Sequence, residues 1–117
     1  MGATDYNLRF PFGPAESQVL SPIANTISST CTNSLTMVSF DMDFDRNILW
    51  DLTPCDELLP VGSRMIVRQT SDGTGRNITF GTGFESPALI GVADKTFIVE
   101  LIYDGVNFVH ISSSQLD

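Results

Sequence analysis

From Gly62 to Ser112 the chain consists of short alternating runs separated by turns that carry glycine. The runs are Gly62 to Gln69, Asn77 to Phe80, Thr96 to Tyr103 and Val106 to Ile111. The breaks between them hold Asp72 to Arg76, Gly81 to Pro87 and Asp104-Gly105. A repeat of two places alternate side chains on opposite faces, and glycine supplies the backbone freedom of a tight turn. This pattern constrains the fold more than any other feature: it predicts consecutive strands of an antiparallel sheet. The inward face would take Ile66 from the first run, Ile78 and Phe80 from the second, Phe97, Val99 and Leu101 from the third, and Phe108 from the fourth.

Upstream, Leu35 to Asp45 alternates cleanly. Val38, Phe40, Met42 and Phe44 fall on one side and Ser39, Asp41, Asp43 and Asp45 on the other, as expected of a half-buried strand with an acidic outer face. Ile48 and Trp50 share a face in the next run, with Asp45-Arg46-Asn47 as a hairpin turn between the two. Residues 53–60 read as a loop with one short helical turn. The expected architecture is all-β: an antiparallel two-sheet β-sandwich, jelly-roll-like, over residues 35–117.

Residues 1–34 differ in character. Pro11, Pro14 and Pro22 exclude a long helix, and Asn25 to Ser34 is rich in Ser, Thr and Asn. The segment reads as an extended N-terminal arm. Its apolar residues Leu8, Phe10, Phe12, Val19, Leu20 and Ile23 need a surface to cover them. One reading packs the arm on its own domain; the other inserts it into a neighbouring subunit, with these six residues as the interface.

A length of 117 residues allows one domain with a core. The net charge of −8, from 14 acidic and 6 basic residues, argues against nucleic acid as a partner, because phosphate binding relies on Lys and Arg. The first residues hold no basic region or apolar run, so neither a signal peptide nor a membrane span is expected. Cys31 and Cys55 are open to pairing, but a chain made in a reducing cytoplasm keeps them as free thiols.

No catalytic set emerges. Asp41, Asp43 and Asp45 suggest a calcium loop, but Arg46 and Leu52 stand where that motif needs glycine and an acid. Gly73 and Gly75 lack the Gly-Lys-Ser/Thr ending and the following helix of a phosphate loop. His110 is the only histidine, which is too little for zinc or a triad. Glu85 and Glu100 remain a formal carboxylate pair for glycoside cleavage, on a domain with little room for a cleft. No cofactor or metal is expected. Trp50, Tyr103 and Phe108 offer a stacking platform for sugar rings, although a place in the core is the simpler reading for Trp50 and Phe108.

The same C-terminal stretch carries a family likeness. Gly62, a strand ending at Gln69, the turn Asp72 to Arg76, Asn77 to Phe80, Gly83-Phe84, Pro87, Ala93-Asp94, Tyr103 to Gly105 and Phe108 together resemble a β-domain of bacteriophage virion structural proteins, of the fibre and capsid-decoration type. Those domains carry a Trp-Pro pair where this chain has Glu85-Ser86-Pro87. The resemblance implies a structural role in a virion. The lack of a catalytic set adds that the role is non-enzymatic, and within a virion the acidic balance suits an outer surface, on a protein made in the host cytoplasm. The resemblance also implies capsid or fibre subunits as partners and assembly as a homotrimer. A host-receptor module that binds carbohydrate is the alternative.

Overall fold

The computed structural model describes residues 16–30, 34–52 and 59–116. In chain order the strands are Glu16–Leu20 (β1), Thr26–Ser29 (β2), Leu35–Phe40 (β3), Ile48–Leu52 (β4), Arg64–Thr70 (β5), Asn77–Phe80 (β6), Phe84–Glu85 (β7), Leu89–Ile90 (β8), Thr96–Tyr103 (β9) and Phe108–Gln115 (β10). The described residues contain no helix. Leu8, Phe10, Phe12, Cys31 and Cys55 lie outside the described residues.

The strands form a six-stranded sheet, in the order β1-β3-β5-β9-β10-β7, and a four-stranded sheet, β2-β4-β6-β8. Successive strands from β1 to β6 alternate between the two. Within each sheet they run parallel, β1 to β3 to β5 in one and β2 to β4 to β6 in the other. Parallel neighbours need a crossover between them, and here the strand of the opposite sheet supplies it. Residues 16–80 therefore wind as a flattened coil. The C-terminal part closes this coil with antiparallel strands: β9 lies between β5 and β10, antiparallel to both, and β8 pairs with β6. The short β7 finishes the far edge, parallel to β10.

This arrangement bears out the all-β, two-sheet expectation and corrects its details. Among the described residues five of the eight pairings are parallel, so the sandwich is not antiparallel throughout. Its connections also differ from the antiparallel Greek keys of a jelly roll. The run Asn77–Phe80 leaves the sheet of its sequence neighbours for the smaller one. Asp45 to Asn47 belongs to a crossing between sheets rather than a hairpin, because β3 and β4 lie in different layers. The alternation expected to reach Asp45 ends at Phe40, where the chain leaves the sheet. Met42 consequently turns outward, while Phe44 enters the core and bridges to Ser71. The boundary at residue 34 moves as well: β1 and β2 pair along their length with β3 and β4, so residues 16–29 belong to the sandwich and not to an arm.

The core follows from the register. Ile48, Ile78 and Leu89 form one row across the smaller sheet, and Ile27, Trp50 and Phe80 the next. Facing them on the larger sheet are the rows Thr36–Met65–Leu101 and Val38–Val67–Val99. In β5 the buried side chains are thus Met65, Val67 and Gln69, and Ile66 points the other way. Edge-to-face ring contacts join Phe44 to Phe40 at 4.6 Å, Phe40 to Trp50 at 6.0 Å, and Trp50 to Phe84 at 5.2 Å. Each such pair contributes about 0.5–1.5 kcal/mol beyond its burial.

Two glycines are required by this packing. Gly83 has φ +89°, and a Cβ there would stand 2.7 Å from Leu52 Cβ. At Gly91 a Cβ would fall on the carbonyl oxygen of Arg76 and on Ser71 Oγ, so the β8–β9 connection can lie against the β5–β6 turn only without a side chain.

Candidate interaction surface

The outer faces of the two sheets differ. On the smaller sheet, register aligns Thr26, Leu49 and Thr79 in one row and Ser28 and Asp51 in another. That mixture is ordinary for a face turned to water. On the larger sheet one outer row is Leu35–Arg64–Ile102–Val109 and the next is Met37–Ile66–Glu100–Ser112, with Arg68–Ile98–Ser114 beyond. Aliphatic side chains thus run across four strands. Met37 remains 43% exposed, and Ile66, Ile98, Ile102 and Val109 are only half-buried.

The charges of this face are few and balanced. Arg64 reaches across to Glu100, Nη1 to Oε2, at 3.0 Å. Arg68 and Glu85 are exposed, and the pairing of Glu85 with Val109 sets it on the same outer side. The remaining acids gather elsewhere. Asp41, Asp43, Asp45, Asp72 and Asp94 lie on the connections between strands. There Arg46 Nε donates to Asp45 Oδ1 at 2.8 Å, holding that carboxyl below the usual range. Arg76 grips Asp72 with two bonds of 2.9 Å, which, with the Thr74 N–H, depresses the Asp72 carboxyl. Asp104 is lowered by the N–H groups of Asn107 and Val106, which close its turn.

The other candidate residues distribute unevenly. Val19 and Ile23 stand 63% and 66% exposed, whereas Leu20 packs partly against the core. Trp50 and Phe108 are fully buried and Tyr103 nearly so, so these three form no solvent-facing platform for a sugar. Trp50 Nε1 donates to Ser29 Oγ, and Tyr103 Oη donates to the Gly105 carbonyl. Each ring fills the space between the layers, because burying a large ring outweighs leaving it on a surface. His110 faces inward opposite Leu101 and lines a cleft of about 90 Å³ with Phe80, Leu89 and Ser113. That space holds only a few atoms. Among the described residues, no three His, Cys, Asp or Glu side chains converge as a metal site, and no helix is long and apolar enough to cross a membrane.

No protein-family model matches the chain, and no curated protein or solved structure matches it.

The outer aliphatic face was missing from the sequence-based candidates, although a signal for it is present. Met65-Ile66-Val67 and Phe97-Ile98-Val99 are apolar at both parities. An unbroken apolar run in a strand signals two covered faces rather than one.

Proposed function

We propose that this chain is a non-enzymatic structural protein of a bacteriophage virion, of the capsid-decoration or fibre type, that works by packing against other protein surfaces. The observation that carries the reading is the half-covered aliphatic face of the six-stranded sheet. A sheet face turned to water is normally polar, and an extended apolar patch marks a contact surface. The likeness of residues 62–108 to virion β-domains supplies the virion context. The acidic remainder of the surface suits a protein displayed outward in many copies, since like charges keep the copies from clumping. Attachment runs through the N-terminal end, where Val19 and Ile23 are exposed and which Leu8, Phe10 and Phe12 precede in sequence. With Trp50, Tyr103 and Phe108 inside, a glycan-binding role gains no support from them.

The test is made on virus particles purified from the producing host. Mass spectrometry should find the chain in the particle band at a fixed ratio to the major capsid or fibre protein, and density for it should lie on the outer surface. A chain absent from purified particles overturns the reading. Removing residues 1–15, which spares β1 and β2, should leave a folded domain that no longer joins the particle.

A further inference from the structure

We propose that the outer face of the six-stranded sheet recognises a second copy of this chain, the two faces meeting about a two-fold axis. The inference rests on the assembly reading above and names the partner of that surface.

Charge selects the partner. The described charges in the three rows and at β7 are Arg64, Arg68, Glu85 and Glu100, which sum to zero on a chain of net charge −8. Two acidic copies repel over most of their surfaces, and this neutral face is where they can approach. Arg64 and Glu100 neutralise each other within the chain. Arg68 and Glu85 make no ion pair among the described residues; Asp43 shares a shallow depression with Arg68 but does not bond it. One copy therefore offers an unpaired cation and an unpaired anion on the same face.

Their positions make the face complementary to itself. Arg68 lies on β5 and Glu85 on β7, three strand positions apart and displaced by four residues along the strands. With strands about 4.8 Å apart and a rise of about 3.3 Å per residue, the two Cα atoms are roughly 20 Å apart. Midway between them sits the Glu100–Ser112 pair, near the centre of the face. A two-fold axis lying in the interface at that point brings Arg68 of each copy to Glu85 of the other, forming two identical ion pairs. It also lays Ile66 of each copy near Ile102 of the other. Arg64 and Glu100, both close to the axis, then each approach their own symmetry mates, so the two Arg64–Glu100 ion pairs meet as one cluster of four charges that sums to zero. The strands of the two copies cross at nearly a right angle, which is one of the two common ways in which sheets stack.

The area suits a weak, reversible contact. Five strand spacings by about seven residues give at most about 550 Å² per copy, or about 1,100 Å² in total, in the range of transient interfaces. The stoichiometry is two, in place of the three that the family resemblance implies.

Sedimentation velocity and light scattering on the full chain, from micromolar to millimolar concentration, test this. The expected species is a dimer of twice the 12.8 kDa chain that dissociates on dilution. Arg68→Glu and Glu85→Arg should each weaken it about tenfold or more, because each places like charges together twice. The double variant should recover to within about threefold of the parent, since both pairs re-form with reversed sign. Ile66→Glu should abolish the dimer, with circular dichroism confirming that every variant remains folded. A chain that stays monomeric or forms a trimer overturns the proposal. So does a dimer indifferent to Arg68→Glu, or a double variant no better than the singles. A monomeric chain found in virus particles removes this inference alone; a dimeric chain absent from particles removes the virion reading alone.

Discussion

Trp50 Nε1 donates a hydrogen bond of 2.9 Å to Ser29 Oγ inside the core, tying β4 to β2 at the edge of the smaller sheet. The indole is fully buried, so no water can replace that acceptor. Ser29→Ala should destabilise the fold by about 1–3 kcal/mol, the cost of a buried donor left without a partner. Urea unfolding followed by the emission of this single tryptophan measures the effect. An unchanged midpoint would show that the indole N–H finds another acceptor.

Thr36 presents the opposite case. It is fully buried in the row with Met65 and Leu101, and its Oγ1 has no hydrogen-bond partner among the described residues. Valine has nearly the same shape and no hydroxyl to desolvate. Thr36→Val should stabilise the protein by about 1 kcal/mol, raising Tm by about 3–6 °C for a chain of this size. Calorimetry reads the shift directly, and a lower Tm would disprove the assignment.

Gly91→Ala should be strongly destabilising, by about 2 kcal/mol or more, because the added methyl meets the backbone of Arg76 as well as the Ser71 hydroxyl. At Gly73, where a Cβ meets nothing within 4 Å, the same substitution should change stability by less than about 1 kcal/mol. Thermal melts of the two variants side by side separate close packing from a general intolerance of the turns.

Acid should loosen the β5–β6 turn. The Asp72 carboxyl is lowered in the folded protein by the Arg76 guanidinium and the Thr74 N–H. Its contribution is therefore complete above the unfolded carboxylate value of about 3.9 and is lost as pH falls through the lower folded value. Tm measured from about pH 5 down to about pH 2 should fall, and Asp72→Asn should fall less steeply over the same range. Parallel curves would mean that Asp72 contributes nothing to acid sensitivity.

Alternation revealed much of the interior and little of the connectivity. Ile48 with Trp50, Ile78 with Phe80, and Val99 with Leu101 lie inward as their spacing implies. Spacing reports which side chains share a face; it carries no information about which strand lies alongside. The parallel winding of β1 to β6 depends on each connection crossing to the opposite layer, and turn residues such as Asp45 to Asn47 serve a crossing as readily as a hairpin. The face of β5 was misread because Ile66 looks more like a core residue than Gln69 does. Gln69 nonetheless points inward and donates to Ser71 Oγ, while Ile66 joins the outer aliphatic surface. Trp50 and Phe108 lie in the core, the simpler of their two readings, and Tyr103 beside the Asp104-Gly105 turn is buried as well: sequence shows a ring but not whether water reaches it.

The winding of the first six strands also bears on how the chain is made. A strand near the N-terminus such as Glu16–Leu20 has its neighbour at Leu35–Phe40, and that strand in turn waits for Arg64–Thr70. During synthesis each sheet keeps one rung open along its outer side until the next strand but one has left the ribosome, and the antiparallel lid arrives last. Such distant pairings close slowly. The growing polypeptide therefore spends seconds with ribbon edges open to its siblings, a hazard that its strong negative charge helps to contain.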